Sequence, residues 1–177
     1  MEDIEMPPLG EPPHKKGEKG PQERESRRAF NTPENAQKAV FTGRACLSSL
    51  NTGSVWRHRT PHGEPEIKAS LTLDGEAVVE LHFSPEDGSL LPKGLHGIGE
   101  GRPGIELLVK EKLVEIPQNI TVLDGAEFRE PEGCWAVPLA HQGRIIAHLR
   151  VSADGGKVLP DKKAADELKH TAGPGAV

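Results

Sequence analysis

Two similar stretches, 68 positions apart, limit the folds open to this chain more than any other feature of its sequence. Residues 74–94 align with residues 142–162 without a gap, and six of the 21 positions are identical. The identical pairs are Gly75/Gly143, Leu81/Leu149, Ser84/Ser152, Gly88/Gly156, Leu91/Leu159 and Pro92/Pro160. Ordinary composition would give about one or two identities. The sequence therefore predicts two copies of one small unit.

The first copy has the pattern of an antiparallel meander. Apolar residues alternate with polar ones over residues 67–73 and again over residues 77–83. An alternation with period two predicts half-buried strands. The pair Asp74-Gly75 between them is a strong signal for a two-residue hairpin turn. A further strand is predicted before this hairpin, at residues 54–60.

The second copy shows the same pattern. Alternating residues occupy 135–139 and 145–151, and the turn between them falls at residues 142–143. Pro138 has no amide to donate to a ladder, so we expect it at an edge or a bulge. The strand before this hairpin is expected within residues 120–129.

A helix is predicted before each set of strands. The first begins at Thr32 and Pro33, a favourable cap and first turn, and carries an apolar stripe to Leu50. The second opens at Pro103 and ends at Pro117. Because a meander with one apolar face needs a cover, we expect each helix to pack on the strands that follow it. The predicted fold class is α+β, with two α-β-β-β repeats and antiparallel meander sheets covered by helices. The sequence leaves open whether the halves stack or join edges.

Five segments make up the predicted organisation. They are a disordered tail rich in proline and charge (1–31), the first repeat (32–92), a glycine-rich linker (93–102), the second repeat (103–160), and a short helix with a frayed end (161–177). Residues 1–30 hold five prolines and no apolar periodicity, so they bury too little apolar surface to offset their ordering entropy. The tail either solubilises the chain or orders on contact with a partner.

A family resemblance rests on the stretches 84–91 and 152–159. Each has an acidic and glycine-containing turn followed by a short apolar strand. Together with the preceding helix and strands, the unit resembles the PepSY-type module, here in tandem over roughly residues 33–160. The resemblance implies a non-catalytic, protein-binding or inhibitory module, and it offers no catalytic residues to transfer.

The glycine-rich segment between the repeats is the candidate ligand site. Gly99, Gly101 and Gly104 match G-x-G-x-x-G, and Gly97 and Arg102 lie among them. Amides at a helix N-terminus can hold a phosphate. A dinucleotide site would need a parallel βαβ unit, whereas a meander strand precedes this segment. The segment is either an anion-binding loop or a flexible linker.

Three of the eight histidines, His58, His62 and His96, are weak metal candidates. Their spacing differs from that of zinc sites, and solvated surface histidines are the alternative. Cys46 and Cys134 are expected to be buried, reduced thiols, with a disulfide or redox pair as the alternative. Because no nucleophile or metalloprotease motif occurs, we predict no catalytic residues, no bound metal and no cofactor.

Composition narrows the function classes. The net charge of −5, from 22 basic and 27 acidic residues, argues against nucleic-acid binding. No apolar run approaches the ~18 residues of a membrane span, and the acidic start lacks signal-peptide features, so we expect a cytoplasmic protein. We predict a non-catalytic accessory or inhibitory module that binds a protein partner through its tail or a sheet edge. The alternative is a small-molecule or anion-binding protein, conceivably an enzyme, with its site at the glycine-rich loop.

Overall fold

The computed structural model describes residues 20–171. Within them lie four α-helices: α1 (Pro21–Arg28), α2 (Pro33–Cys46), α3 (Ile105–Leu113) and α4 (Lys162–Thr171). Two 3-10 helices, Leu47–Ser49 and Pro117–Asn119, are one turn each. The strands are β1 (Asn51–Arg59), β2 (Pro65–Leu73), β3 (Glu76–Phe83), β4 (Ile120–Val122), β5 (Glu127–Arg129), β6 (Cys134–His141) and β7 (Arg144–Ser152). All ladders between these strands are antiparallel. The predicted α+β class is confirmed.

The strands form two sheets. In the first, β1, β2 and β3 follow one another as a meander. In the second, β6 pairs with β7 on one side and with both β4 and β5 on the other. The strand expected within residues 120–129 is therefore interrupted, at residues 123–126. Pro138 lies in β6 opposite this interruption, where its carbonyl accepts from the Leu123 amide at 3.1 Å. Its missing N–H points to the same interrupted side, so no ladder bond is lost.

The two hairpins share their local geometry. Both turn residues have positive φ in each hairpin, 51° and 83° at residues 74–75 and 50° and 76° at residues 142–143. Each ladder shifts register once, after Leu71 in the first and after Leu139 in the second. These positions are again 68 apart. The predicted turns and strands are confirmed.

Helices α2 and α3 each pack on the other half's sheet, so the prediction that a helix covers the strands following it is wrong. Helix α2 lies on β6 and β7, and a Cβ at Gly43 would come within 3.2 Å of Val137 Cγ1. Helix α3 lies on β1 and β2, and a Cβ at Gly88 would come within 3.3 Å of Ile105 Cδ1. An amphipathic stripe requires an apolar partner but does not specify which of two similar sheets supplies it.

The two sheets lie edge to edge, with β3 beside β7. The Lys93 amide donates to the Ile145 carbonyl at 2.8 Å, and the Asp161 amide donates to the Ala77 carbonyl at 2.8 Å. The donors are 68 positions apart, and so are the acceptors. One continuous apolar cluster between the sheets and helices α2 and α3 forms the core.

The predicted tail falls into two parts. Residues 1–19 lie outside the described residues, and the predicted disorder of residues 20–31 is wrong for Pro21–Arg28, which form α1. Arg27 Nη1 donates to the Pro131 carbonyl at 2.7 Å, and Arg28 Nε lies 3.0 Å from Glu130 Oε1. Exposed contacts of this kind add little stability. The helix expected after residue 161 is α4, and the predicted frayed end, 172–177, lies outside the described residues. No helix in the range 20–171 is long and apolar enough to cross a membrane.

Candidate functional site

The polar side of β2 is buried and that of β3 is partly buried, which the alternation alone did not predict. Lys68 and Ser70 point away from the apolar core, yet each is only 1% exposed. Helix α4 packs on β1 and β3 on this side of the sheet. A lysine is almost never this buried unless it is paired, so its partners define the chemistry of this face.

Lys68 is surrounded by three carboxylates. Its Nζ donates to both oxygens of Glu167, at 2.9 and 3.0 Å, and lies 3.2 Å from Glu80 Oε1 and 3.5 Å from Glu66 Oε2. Burial lowers the pKa of Lys68, but the hydrogen bond that Lys68 donates to Glu167 and the nearby carboxylate charges outweigh it, so the net pKa is raised. Lys68 is therefore a charged structural group that holds α4 to the sheet.

The two carboxylate oxygens of Glu80 differ in their hydrogen bonding. Its Oε1 accepts from His82 Nε2 at 2.9 Å and faces Lys68. Its Oε2 is buried and has no hydrogen-bond partner among residues 20–171. Burial raises the pKa of Glu80, but the His82 hydrogen bond and the Lys68 charge outweigh it and lower the pKa to about 2. Glu80 is thus an ionised carboxylate with an unused acceptor.

Glu80 also lines a cavity between the two halves. The cavity has a volume of about 290 Å³ and is bounded by β3, β7 and the segments that follow them. We call it the junction cavity, defined by Glu80, Lys93, Arg129, His148, Arg150 and Asp161. Ionisable groups from both halves converge here, which is typical of ligand-binding and catalytic sites.

On one side of the junction cavity, two cations meet a single ring nitrogen. Lys93 Nζ and Arg129 Nη2 both contact His148 Nδ1, the arginine at 3.3 Å. A neutral imidazole nitrogen accepts here, which puts the ring proton on Nε2. Burial and the charges of Lys93 and Arg129 lower the pKa of His148 to about 4. Burial and the Arg129 charge also lower the pKa of Lys93.

Arg150 adds a third cation at the cavity wall. Its Nη2 pairs with Glu132 Oε2 at 2.9 Å and contacts Cys134 Sγ at 3.8 Å. Its Nε is buried and has no partner within the described range. Arg150 and Glu80 thus each combine a position at the cavity wall with one buried atom that has no hydrogen-bond partner among residues 20–171.

The glycine-rich segment is folded onto its neighbours, although it was predicted as a linker. The Arg102 amide donates to the Pro85 carbonyl at 2.9 Å, and a Cβ at Gly97 would overlap Pro85 Cδ at 2.2 Å. A Cβ at Gly101 would lie 2.9 Å from Arg57 Nη1. Gly99 adopts a φ of 117° above the side chain of Glu86.

The helix after this segment begins two residues later than predicted, at Ile105 instead of Pro103. Gly104 caps it with a φ of 78°, and no side chain caps the helix. Arg57 Nε pairs with Glu106 Oε1 at 2.8 Å in the first turn, and this hydrogen bond lowers the pKa of Glu106. A carboxylate from the chain itself thus stands at the helix start. Anion binding by this loop stays a prediction.

The three histidines considered as metal ligands do not share a contact. His58 Nε2 is 3.9 Å from Glu167 Oε1, His96 Nδ1 is 3.4 Å from Glu66 Oε1, and His62 lies on the exposed turn between β1 and β2. Both carboxylates also pair with the ammonium of Lys68. Among residues 20–171, no group of three or more His, Cys, Asp or Glu side chains could hold a metal ion.

The two cysteines are buried and unbridged, as predicted. Cys46 Sγ contacts the Gly43 carbonyl at 3.2 Å, and burial raises the pKa of this thiol. A thiol of this kind is a poor nucleophile at neutral pH.

A larger cavity, of about 790 Å³, lies on the helix side of the halves' junction, beside α3. Its polar rim consists of exposed side chains such as Lys112, Asn119 and Arg144. Water already satisfies such groups, so they gain little from a ligand. The junction cavity combines burial, unmatched charge and unpaired atoms, and we therefore take it as the candidate site.

No family model, curated protein or solved structure matches this chain. The resemblance to the PepSY-type module therefore stays a prediction.

The sequence analysis missed the junction cavity, although the internal alignment held a signal. At an offset of 68, Glu80 aligns with His148 and His82 aligns with Arg150. Both pairs are polar residues on the outward side of hairpin strands, and both pairs line the cavity. Once β3 and β7 are known to be neighbours, the alignment brings these four side chains together.

Proposed function

We propose that this protein binds a small anion in the junction cavity and that binding, not catalysis, is its activity. The observation that carries this proposal is the contact of two cations, Lys93 and Arg129, with one neutral nitrogen of His148. A single lone pair cannot satisfy both donors well. A carboxylate, sulfate or phosphate oxygen would accept from both.

Charge and enclosure favour such an anion. Hydrogen bonds from Lys and Arg to an oxyanion are stronger than neutral ones, and a partly buried site weakens the competition from water. An anion beside His148 would also stabilise the imidazolium, so binding would raise the pKa of this ring above its value of about 4. The proposed anion site thus lies at the junction of the halves, whereas the sequence pattern had indicated the glycine-rich loop.

We further propose that the two halves are copies of one α-β-β-β unit and that the boundary between them became the site. The register shifts after Leu71 and Leu139, and the bonds from Lys93 and Asp161 to the opposite half, support this interpretation. A duplicated unit has two equivalent walls at its boundary. At equivalent positions, one wall carries Glu80 and the other carries His148, so the two walls differ in their chemistry.

Thermal unfolding with sulfate tests the proposal. Sulfate bound to the native state raises the melting temperature of the wild-type protein above its value in sodium chloride of equal ionic strength. The double variant Lys93→Gln/Arg129→Gln loses most of this rise, whereas Lys110→Gln, on the exposed face of α3, keeps it. Because sulfate also stabilises proteins by exclusion, the difference between the variants is the decisive quantity. Equal rises in all three proteins contradict the proposal.

A second candidate function is the docking of another protein at strand β1. This strand is a continuous nine-residue edge, and no strand within residues 20–171 pairs with its outer side. The equivalent edge of the other sheet is broken at residues 123–126. An open edge accepts an added strand from a partner, and the basic end of β1, at His58 and Arg59, suits an acidic segment.

Charge reversal on β1 tests this second function. A protein partner that co-purifies in stoichiometric amount is lost from Arg59→Glu and retained by Lys110→Glu. Deletion of residues 1–19 shows separately whether the N-terminal segment contributes to the interaction. Retention of the partner by Arg59→Glu contradicts docking at β1.

A further inference from the structure

We infer that the junction cavity selects a singly charged oxyanion, such as a monocarboxylate or a sulfonate, and that Asp161 is the residue that disfavours a second negative charge. This inference rests on the proposed anion site and adds the charge class of the ligand. It starts from the charges on the rest of the cavity wall.

The side-chain charges around the cavity nearly cancel. The cations of its wall are Lys93, Arg129, Arg150 and Lys163. The carboxylates of its wall are Glu80, Glu132 and Asp161. Lysine and arginine thus exceed aspartate and glutamate by one charge. One negative charge on a ligand therefore neutralises the wall, and a second has no cation left to balance it.

Glu132 already partly neutralises the two arginines. Its Oε2 lies 2.9 Å from Arg150 Nη2, and its Oε1 lies 3.9 Å from Arg129 Nη1. These three side chains together carry one positive charge. An anion that binds Arg129 therefore also meets the carboxylate of Glu132.

Asp161 acts on the other cation of the proposed anion site. Its charge raises the pKa of Lys93, against the larger effects of burial and Arg129, so the carboxylate interacts with this ammonium. The Asp161 amide donates to the Ala77 carbonyl at 2.8 Å, and its Oδ1 accepts from the Ala164 amide at 3.1 Å. The carboxylate is therefore held at the cavity wall, where it repels an anion at Lys93 in proportion to the charge of that anion.

Dehydration strengthens this selection. The cost of removing an ion from water grows with the square of its charge, whereas the attraction to a fixed net charge grows only in proportion to it. In a partly buried cavity, a dianion therefore loses more than it gains relative to a monoanion of the same size. Sulfate binds the site, but less tightly than a monovalent ion of the same shape.

Sulfate and methanesulfonate test this inference on the wild-type protein. Both ions are tetrahedral and similar in size, but methanesulfonate carries only one negative charge. Nuclear magnetic resonance titrations follow the ring of His148 at constant ionic strength and at pH 8, above the ordinary pKa of histidine. Methanesulfonate binds more tightly than sulfate, by about threefold or more. The exposed ring of His170 reports the effects of salt away from the cavity.

Asp161→Asn assigns the selection to one charge. Asparagine caps a helix as well as aspartate does, so this substitution removes the charge and keeps the start of α4. The ratio of the sulfate affinity to the methanesulfonate affinity rises about fivefold, because the lost repulsion acted on two charges in sulfate and on one in methanesulfonate. Asp166→Asn, at an exposed site of α4, changes the net charge equally and leaves this ratio unchanged. Contacts of the methyl group cancel when the ratios are compared.

The possible failures are distinguishable. If sulfate binds the wild-type protein as tightly as methanesulfonate, the selection of a single charge is overturned and the anion site stands. This comparison needs no variant, so it decides even if Asp161→Asn does not fold. If the ratio in Asp161→Asn equals that of the wild type, Asp161 is not the selecting residue. If neither ion shifts the signals of His148 more than those of His170, the inference and the proposed function fall together.

Discussion

The backbone amide of Lys93 donates to the carbonyl of Ile145 at 2.8 Å and thereby joins the segment after the first half to the start of β7. The same residue carries one of the two cations that contact His148. The main chain thus fixes the backbone position from which the Lys93 side chain reaches His148. A charge held in this way loses less entropy on binding a ligand.

His148 makes the stability of the protein pH-dependent. Its folded pKa of about 4 lies below the usual value of 6.5, so between pH 4 and 6.5 the unfolded chain binds a proton that the folded protein does not. Stability therefore rises with pH across this window. In His148→Gln the rise is smaller, as measured by urea unfolding at pH 4.5 and pH 7 in chloride.

His170, an exposed residue of α4, provides the control for this experiment. His170→Gln keeps the wild-type difference between the two pH values. An unchanged pH dependence in His148→Gln would show that the cations do not depress the pKa of this ring.

Glu80 acts in a lower pH window. Its folded pKa of about 2 lies below the usual 4.5, so its contribution to stability is complete above pH 4.5 and is lost as pH falls towards 2. The difference corresponds to about 3 kcal/mol. Glu80→Gln shows a flatter acid limb in urea unfolding between pH 5 and pH 2.5, and an equally steep limb in this variant would argue against the pairing of Glu80 with His82 and Lys68.

The salt bridge between Glu167 and Lys68 holds α4 to the sheet. Glu167→Gln removes the charge closest to Lys68 and lowers the free energy of unfolding by about 2 kcal/mol, because a buried ammonium loses its main partner. Asp166→Asn, at an exposed site of the same helix, changes it by less than about 0.5 kcal/mol. Trp56 Nε1 also donates to Glu167, at 3.1 Å, so tryptophan fluorescence reports the same loosening. Equal stability of the two variants would contradict the anchoring role.

Gly155 tests the exchange of helices between the halves. A Cβ at this position, in the turn after β7, would lie 2.6 Å from the Asn35 carbonyl oxygen and 2.9 Å from the Ala39 amide nitrogen, both in α2. Gly155→Ala therefore lowers the free energy of unfolding by about 3 kcal/mol or more, from strain and overpacking together. Gly143→Ala has the same φ of 76° but no neighbour within 4 Å.

The control, Gly143→Ala, isolates the cost of the backbone conformation alone, about 1–2 kcal/mol. Chemical denaturation of both variants gives the difference. Equal costs for the two substitutions would mean that α2 does not pack against the turn after β7.

Local patterns predicted the parts of the fold that depend on neighbours in sequence. The pair Asp74-Gly75 needs positive φ at both positions, and such residues predict a hairpin wherever they stand between alternating strands. The choice of sheet for α2 depends on which of two apolar faces lies nearer in space, and no local pattern contains that information. The interruption between β4 and β5 likewise depends on contacts in space that no local pattern contains.

The candidate site was harder to predict for the same reason. Lys68 alternates with apolar residues in β2 and was expected to face solvent, but α4, about a hundred residues later, buries it. Lys93 and His148 are 55 positions apart and meet only because β3 and β7 are neighbours. Pairing of edges is a long-range event, whereas the glycine-rich loop attracted notice because its motif is contiguous.

The imidazole of His148 gives the most direct measurement. Nuclear magnetic resonance follows the ring of His148 from pH 3.5 to pH 7.5, with sulfate raised until no further change occurs and with chloride at equal ionic strength. Anion binding beside Lys93 and Arg129 raises the pKa of His148 from about 4 towards its usual 6.5 in sulfate only. A pKa that is the same in both salts would contradict an anion site at the junction of the two halves.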